Sequence, residues 1–307
     1  MEYKALADVS GKQITLETGR LAKQASGACL IRCGETLVLC TAVSEKHGRE
    51  GIDFFPLTVD YLEMTYAAGR IPGGFFKREG KPTEKEILTA RFIDRPIRPL
   101  FPKGFKAETQ IIATVLSSDG ENDPDILAIN AASTALHVSD IPFECPIGAV
   151  RVGRVDGNLV VNPSAIEDAY SDLNIIVVAG RQGIVMVEGG ADRVPEETIL
   201  ETIFLAQAEI DKILDAQDKL RQEVGKPKRE VPSPVEDAEL LDRIRRDWGG
   251  EVEKAMDIHR KLERQDTLER IYHSILESLG EEGDLRRQEV LGYLEHVEGE
   301  YLRRMIL

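Results

Sequence analysis

Residues 69–82 read Gly-Arg-Ile-Pro-Gly-Gly-Phe-Phe-Lys-Arg-Glu-Gly-Lys-Pro, and they open a strongly basic segment of an acidic chain. Between Arg70 and Lys106, ten Lys or Arg residues stand against four Asp or Glu residues. The rest of the 307-residue chain holds 29 basic and 50 acidic residues. Positive charge gathered into one segment is typical of a site for an anionic partner. The pattern therefore predicts a local polyanion site and argues against general attraction to nucleic acid.

A glycine-rich loop at the start of this segment places two aromatic rings beside two cations. Phe75 and Phe76 precede Lys77 and Arg78, and four glycines make the surrounding backbone pliable. Aromatic faces stack on bases of any sequence, at about 1–3 kcal/mol per base, while cations bind the phosphates. The loop is therefore a candidate contact for single-stranded nucleic acid. The alternative is a buried hairpin tip, in which the two phenylalanines fill a core.

A helix is predicted directly after the loop, because Thr83 and Glu86 have the spacing of a capping box. Three arginines recur on it at i, i+4 and i+7, the spacing that brings side chains to one helix face: Arg91, Arg95 and Arg98. Like charges on one face repel one another unless a negative partner lies opposite. The three are therefore candidate phosphate contacts. Asp94 lies within helical reach of two of them, so intrahelical ion pairs are the alternative.

The loop and the helix together resemble the first core domain of the polynucleotide phosphorylase family. The resemblance is carried by residues 69–84 and by residues 89–102, which read Thr-Ala-Arg-Phe-Ile-Asp-Arg-Pro-Ile-Arg-Pro-Leu-Phe-Pro. In that family a Phe-Phe-Arg-Arg loop lines the neck of a central channel through a trimeric ring and grips single-stranded RNA. Here Lys77 replaces the first arginine, which keeps the charge but loses a planar, bidentate donor. The resemblance implies that this loop and the arginine face bind RNA.

Residues 1–225 are predicted to form one α/β domain. Three β-rich runs occupy residues 12–45, and a further strand is predicted around Pro56, which indicates either a sheet edge or a bulge. Apolar runs punctuated by glycine predict four more strands over 148–190, and apolar residues at helical spacing predict a helix over 195–224. The resemblance implies an RNase PH-like core of α/β (α+β) class with βαβα packing.

Residues 226–234 are predicted to be a linker because of their prolines and charges. Residues 235–307 are predicted to be an all-α domain, with helices over 235–248, 251–279 and 284–307. On the last helix, four residues are predicted to form one apolar face: Leu291, Leu294, Tyr301 and Met305. The pattern matches the small all-α domain that follows the first core domain in the family.

The segment from Ser117 to Asp125 joins a predicted buried strand over 110–116 to a predicted small-residue helix over 126–136. A loop between a strand and a helix N-terminus is a common phosphate site. This loop, however, carries four carboxylates that use the helix dipole themselves and repel phosphate: Asp119, Glu121, Asp123 and Asp125. We therefore expect a capped helix without an anion pocket. The resemblance implies that the phosphate-binding loop, rich in serine and glycine, lies in a second core domain.

The sequence contains no pattern typical of a catalytic centre. None of its five histidines neighbours a cysteine or a serine in a glycine elbow, and HExxH and Walker motifs are absent. The four cysteines lack a CxxC spacing and are predicted to be reduced thiols, three of them buried in a strand-like stretch. We therefore expect no catalytic residue and no metal ligand in this chain.

The sequence also predicts a cytoplasmic protein without a membrane partner. No apolar run approaches the roughly 20 residues of a membrane-spanning helix. The first residues, Met-Glu-Tyr-Lys-Ala, lack the apolar stretch of a signal peptide.

The resemblance implies a phosphorolytic 3′-to-5′ exoribonuclease, a nucleotidyltransferase active in mRNA degradation and RNA processing. Inorganic phosphate as co-substrate and Mg²⁺ are expected to bind in the second core domain, so the chain alone is expected to be inactive. The expected partners are single-stranded RNA, two further copies in a homotrimer, and proteins of RNA-degradation assemblies. The alternative is a non-catalytic RNA-binding ring subunit of an exosome-like assembly.

Overall fold

The computed structural model describes residues 1–48, 52, 54–231 and 237–307, the side chains at 282 and 284 excepted. The chain divides into two units, Met1–Ser233 and Pro234–Leu307. The last three residues of the predicted linker and the first two of the predicted all-α domain lie outside the described residues.

The first unit contains a six-stranded sheet in the order β1-β2-β3-β4-β6-β5. Its strands are β1 Tyr3–Val9, β2 Lys12–Thr18, β3 Gly27–Cys33, β4 Thr36–Ser44, β5 Leu57–Glu63 and β6 Thr109–Ser117. Neighbouring strands are antiparallel except β5, which runs parallel to β6 and forms one edge. Of the edge and the bulge indicated by Pro56, the edge position is thus confirmed, although the strand begins after the proline.

Strand β1 is additional to the predicted strands. Its inward-facing side chains are Ala5, Ala7 and Val9, which are buried. Because two of the three are small, the apolar alternation is a weak signal in the sequence. The strand pairs with β2 along its whole length and forms the opposite edge of the sheet.

A second sheet of four antiparallel strands has the order β10-β9-β7-β8. Its strands are β7 Gly148–Val155, β8 Asn158–Val161, β9 Leu173–Gly180 and β10 Gly183–Ala191. They confirm the four strands predicted from the glycine-punctuated apolar runs.

The described part of the first unit also contains four α-helices: α1 Glu84–Ile97, α2 Pro124–Val138, α3 Ala165–Ala169 and α4 Glu196–Val224. Short 3-10 helices lie at Thr65–Ala68 and Arg98–Leu100. Both α2 and α4 contact strands of the two sheets. The arrangement confirms the predicted α/β core.

Helix α2 is the most deeply buried element, since 13 of its 15 residues are inaccessible. Its alanines let neighbouring backbones approach closely. At Gly27 in β3, an added Cβ atom would meet the carbonyl oxygen of Ala135 at 2.0 Å. No other residue type therefore fits at position 27 without moving the helix or the strand.

The buried amide of Asn130 joins α2 to β7. Its Nδ2 donates to the carbonyls of Ile126 at 3.0 Å and Ala149 at 2.9 Å, and its Oδ1 accepts from the N–H of Ala149 at 2.8 Å. The side chain thus satisfies both backbone groups of Ala149 that face it. A buried polar group of this kind is costly when its partner is removed.

A second buried polar cluster joins helix α4 to helix α2 and to the residue that precedes β7. Ser133 accepts from the N–H of Ile147 at 2.9 Å and donates to Oε1 of Gln217 at 2.8 Å. Nε2 of Gln217 donates in turn to the carbonyl of Ile147 at 2.8 Å. The three groups form a closed ring of hydrogen bonds at the centre of the unit.

The first residues of the predicted linker are bound to the first unit. The backbone N–H groups of Lys226 and Arg229 donate to carbonyls at the end of α2 and just beyond it. The ammonium of Lys228 donates to the carbonyls of Leu136 at 2.7 Å and Ser139 at 3.0 Å. Burial lowers the pKa of Lys228 to about 7. Residues 226–229 therefore form a strap across the carboxyl end of α2.

The second unit is helical in its described part. Its helices are α5 Ala238–Met256, α6 Lys261–Leu279, α7 Glu281–Leu285 and α8 Arg287–Ile306. They enclose a separate small core to which α5, α6 and α8 contribute. Helical segments after the α/β core are what the sequence predicts.

The predicted break in the first of these helices, after Trp248, is wrong. Helix α5 continues through Gly249 and Gly250 to Met256. The buried residues Ile244 and Val252, on either side of the glycines, lie on one apolar face. Burial of this face offsets the cost of about 1 kcal/mol per glycine in a helix.

The predicted apolar face of α8 is also wrong, apart from Leu294. The buried residues of this helix are Val290, Tyr293, Leu294 and Val297. Leu291 and Met305 are exposed.

Among the described residues, no helix has both the length and the apolar character needed to cross a bilayer.

We predict that Asn130→Ala lowers the free energy of unfolding by about 2–3 kcal/mol, because it leaves the N–H and C=O of Ala149 buried without their partner. Urea denaturation at neutral pH measures this loss. Asn158→Ala is the control, since that exposed amide contacts only a neighbouring carbonyl. A loss at Asn130 no larger than at Asn158 would show that the buried amide contributes nothing to stability.

Candidate nucleic-acid interface

The aromatic pair of the basic loop is exposed. Phe75 is 93% exposed and Phe76 is 82% exposed. Their rings lie 5.6 Å apart, centroid to centroid, with 86° between their planes. The structure therefore contradicts the alternative of a buried hairpin tip, and the rings are free to contact a partner.

The cations beside the rings are held by an unusual backbone. Lys77 has a φ of +51° and Gly74 has a φ of +76°. The left-handed conformation costs a residue with a Cβ atom about 1–2 kcal/mol. The side chains of Lys77 and Arg78 have no ion pair with any described residue, and both residues are exposed. Their charges are available to an anion.

A carboxylate within the loop fixes its base. Oε1 of Glu79 accepts from the backbone N–H of Thr65 at 2.9 Å, and Oε2 accepts from the Thr65 hydroxyl at 2.6 Å. Thr65 begins the 3-10 helix that follows strand β5. The loop is thus tied to the edge of the six-stranded sheet while its tip projects into solvent.

The predicted capping box starts helix α1. The Thr83 hydroxyl accepts from the N–H of Glu86 at 3.2 Å, and the Glu86 carboxylate accepts from the N–H of Thr83 at 2.7 Å. The same carboxylate also accepts from the N–H of Glu63, at the end of β5, at 2.8 Å. One side chain therefore joins the start of the helix to the edge strand.

The three arginines of the predicted face differ in their surroundings. Arg98 forms two hydrogen bonds to Asp94, at 2.7 and 3.1 Å, and donates to two carbonyls next to β5 and at its start. Arg95 pairs with Glu188 of β10 at 2.6 Å. Arg91 is exposed and has no ion pair with any described residue.

The intrahelical ion pair with Asp94 is therefore formed by Arg98. Arg95 pairs instead with a carboxylate that is distant in sequence. Arg91 and Arg98 line a groove of about 360 Å³ between β5 and α1. Of the three guanidinium groups, that of Arg91 is the one most available to a phosphate.

The acidic loop before α2 is organised by Asp119. Its carboxylate accepts from the N–H groups of Glu121 and Asn122, both at 2.9 Å, from the Thr36 hydroxyl at 2.8 Å and from the N–H of Glu35 at 3.0 Å. Burial opposes ionisation, but hydrogen bonds from the backbone of Asn122 and Glu121 prevail and lower the pKa of Asp119 well below its usual range. The donors that a phosphate would need are already used.

The N-terminus of α2 is occupied by an ion-pair cluster that the sequence does not reveal. Arg151 on β7 lies 2.6 Å from the carboxylate of Asp125 and 3.0 Å from that of Asp123. Asp123 is the N-cap residue but makes no side-chain capping bond. Burial raises the pKa of Asp125 although Arg151 opposes the shift.

The described residues show no catalytic set. His137 lies 3.1 Å from Asp218, and burial, followed by the nearby Arg221, lowers its pKa to about 4. No hydroxyl or thiol among the described residues bonds to this histidine. Burial raises the pKa of the Cys29 thiol to about 12. Among the described residues, no group of three His, Cys, Asp or Glu side chains is placed to hold a metal ion.

Three family models match the chain. Residues 10–142 match domain 1 of the 3′ exoribonuclease family, and residues 145–209 match domain 2. Residues 239–307 match the model described as polyribonucleotide nucleotidyltransferase, RNA binding domain.

Curated proteins named polyribonucleotide nucleotidyltransferase are similar to the whole chain. The protein of Anaeromyxobacter dehalogenans (strain 2CP-C) is 49% identical over 311 residues, which cover 98% of this chain and 43% of that protein. The protein of Geobacter sulfurreducens is 50% identical over 306 residues, which cover 100% of this chain and 44% of that protein. The chain thus spans less than half the length of these relatives.

Among solved structures, rice (Oryza sativa) Rrp46 is similar in fold. The TM-score is 0.56 at 17% sequence identity, and the match covers 67% of this chain and 93% of that one. The likeness supports the RNase PH-like architecture of the first unit.

We predict that Asp119→Asn lowers the free energy of unfolding at pH 7 by about 1–2 kcal/mol, because it weakens hydrogen bonds to a charged acceptor. The pKa of Asp119 in the folded protein lies well below its ordinary value, so the carboxylate stabilises the fold at neutral pH and this stabilisation is lost as the pH falls below the ordinary pKa of an aspartate. The difference between the variant and the wild type should therefore shrink from pH 7 to pH 3.

Urea denaturation at both pH values measures the two differences. Asp156→Asn is the control, since this exposed side chain makes no described hydrogen bond, and it should stay within about 0.5 kcal/mol of wild type. A difference for Asp119→Asn that is constant from pH 7 to pH 3 would contradict the assignment.

Proposed function

This chain belongs to the polyribonucleotide nucleotidyltransferases of the 3′ exoribonuclease family, and from that membership we propose that its parent protein degrades RNA by phosphorolysis. Inorganic phosphate attacks the 3′-terminal phosphodiester, the bond to the penultimate nucleotide breaks, and a nucleoside diphosphate leaves. The reverse reaction extends RNA and releases phosphate. In this proposal the described chain binds RNA and contributes to the assembly, while other parts of the protein carry the chemistry.

The exposed aromatic pair is the observation that carries the RNA-binding role. Two rings more than four-fifths exposed lie directly beside two cations with no described ion pair. Exposed apolar rings cost solvation free energy and contribute nothing to the core, so a partner that covers them explains their presence. Stacking on bases combined with phosphate binding is the mode that this combination fits.

The cationic residues of the proposed RNA-binding set differ in how directly they contact phosphate. Arg91 contacts phosphate directly, since its guanidinium is exposed and has no described ion pair. Arg95 and Arg98 contribute charge to the same face, but their side chains are fixed by Glu188 and Asp94. Lys77 and Arg78 supply the charge at the loop tip.

We place the catalytic groups, the phosphate co-substrate and Mg²⁺ outside this chain. The proposal is supported by the loop before α2, where the Asp119 carboxylate accepts the backbone N–H groups and the carboxylates of Asp123 and Asp125 engage Arg151, so that the donors of a potential anion site are already used. It is also supported by the length of the curated relatives, of which this chain spans less than half.

The assembly follows from the same proposal. Three copies form a ring in the cytoplasm, single-stranded RNA passes through its centre, and proteins of RNA-degradation assemblies bind from outside. The second unit contributes further RNA binding, in keeping with the family model that it matches. An exosome-like ring subunit without catalytic activity has weaker support, because its relation to this chain rests on a likeness in fold.

We predict that the isolated 307-residue chain lacks phosphorolytic activity, since no described residues form a base, nucleophile or metal set. Release of nucleoside diphosphate from poly(A) in the presence of phosphate and Mg²⁺ is the measurement. The polypeptide extended through the second core is the positive control. Phosphate-dependent release by the short chain, persisting through stringent purification, would place the catalytic groups within it.

We predict that Phe75→Ala/Phe76→Ala weakens RNA binding by about 1–3 kcal/mol per lost stack while leaving the melting temperature unchanged, because the rings are exposed. Lys77→Ala/Arg78→Ala should instead reduce the slope of log affinity against log salt by about 0.7 per lost phosphate contact. Fluorescence anisotropy with a labelled oligoadenylate measures both quantities, and thermal denaturation monitors the fold.

Phe54→Ala is the matched control, since this exposed ring lies outside the loop. It should leave affinity and salt slope unchanged. Equal salt slopes for the wild type and the Lys77/Arg78 variant would remove the loop from the RNA path.

A further inference from the structure

A groove of about 540 Å³ lies within the second unit, between α5 and α8. Three arginines line it: Arg245, Arg303 and Arg304. The described part of this unit, residues 237–307, contains 12 basic and 18 acidic residues. Glu253 and Glu300 also line the groove, so its lining carries one net positive charge on an acidic unit.

Two adjacent glycines form one wall of the groove. Gly249 and Gly250 lie in the interior of α5, and a Cβ atom added at either would meet no other atom within 4 Å. Each glycine costs the helix about 1 kcal/mol relative to alanine. Because there is room for a side chain at both positions, packing within the described unit does not explain the glycines. A bare helix backbone at a groove wall allows an outside group to approach closely.

The arginines differ in how far they are engaged. Arg303 is exposed and has no ion pair with any described residue. Arg304 pairs with Glu253 at 2.6 Å and lies over the ring of Tyr301, 5.8 Å from its centroid. Arg245 binds Glu300 through two of its nitrogens, at 2.9 and 3.1 Å. The two carboxylates of the groove therefore hold two arginines in place, and the third remains free.

The form of the groove restricts the ligand. A guanidinium is a planar, multiple donor that matches the oxygens of a phosphate. The one aromatic ring of the lining, that of Tyr301, is covered by Arg304 and donates its hydroxyl to Asp257 at 2.7 Å. One face of the ring and its hydroxyl are therefore engaged. The guanidinium groups recognise the sugar–phosphate backbone, a contact that is independent of base identity.

We propose that the groove between α5 and α8 binds the sugar–phosphate backbone of single-stranded RNA, with Arg303 as the principal phosphate contact and Gly249–Gly250 as the wall against which the strand lies. The proposal rests on the RNA-degrading function proposed above. It adds a second RNA contact, separate in sequence from the loop at 75–78.

The test uses the 307-residue chain and a fluorescein-labelled oligoadenylate at low salt. Arg303→Gln should weaken binding about five- to tenfold and reduce the salt slope by about 0.7, as one lost phosphate contact requires. Gly249→Ala/Gly250→Ala should raise the melting temperature while weakening RNA binding. This opposite movement of stability and affinity is not expected if the glycines have only a structural role.

Arg260→Gln is the matched control, because this arginine of the same unit is 82% exposed at its side chain, pairs only with Glu263 and lies outside the groove. It should leave affinity and salt slope unchanged. An equal effect at Arg260 and Arg303 would overturn the proposal, since it would indicate general charge attraction. An unchanged affinity in the Gly249/Gly250 variant would also overturn the proposal. The same holds if the wild-type chain does not bind the oligoadenylate.

The loop variants, measured in parallel, separate this proposal from the function on which it rests. Loss of binding in the Phe75/Phe76 variant with none in the groove variants would overturn the groove and leave the channel loop in place. Loss in the groove variants alone would support the groove and remove the loop from the RNA path.

Discussion

The two sheets of the first unit depend on the contact between helix α2 and the strands around it. The helix can be buried on nearly every side because many of its side chains are small. Gly27 of the facing strand also lacks a side chain, so the backbones of helix and strand approach closely. Close approach leaves no room for water, so polar groups in the contact must satisfy one another. Asn130 and Ser133 do so through β7 and α4. One helix thereby fixes the relative position of both sheets.

The proposed RNA-binding loop lies at the β5 edge of the six-stranded sheet. The loop has no core of its own, and its base is held by Glu79 and by the Glu86 carboxylate that joins α1 to β5. The Glu86 bond ends on the edge strand β5 and the Glu79 bonds end on the 3-10 helix that follows it, and β5 pairs with β6. An exposed tip on a fixed base suits a site that must bind strands of variable sequence. In the proposed function, the fixed base sets where the cations and the exposed rings meet the RNA.

Local chemistry in the sequence predicts the parts of this site that depend on neighbouring residues. Thr83 and Glu86 predict the start of α1, and Pro56 indicates an edge or bulged strand, because each effect acts within a few residues. The partner of Arg95 could not be predicted in this way, since Glu188 lies 93 residues further along the chain and on the other sheet. For the same reason the sequence does not reveal that Arg151 lies at the start of α2. The continuation of α5 through Gly249–Gly250 depends on the core of the second unit, which outweighs local helix propensity.

The strap at residues 226–229 has a mechanical consequence. Tension applied to the chain beyond residue 231 acts first on the hydrogen bonds of Lys226, Lys228 and Arg229 to the carbonyls near the end of α2. These bonds must break before the load reaches α4. A pull transmitted along the polypeptide would accordingly be resisted at the most deeply buried helix of the first unit. The strap thus protects α4 from being unwound from its carboxyl end.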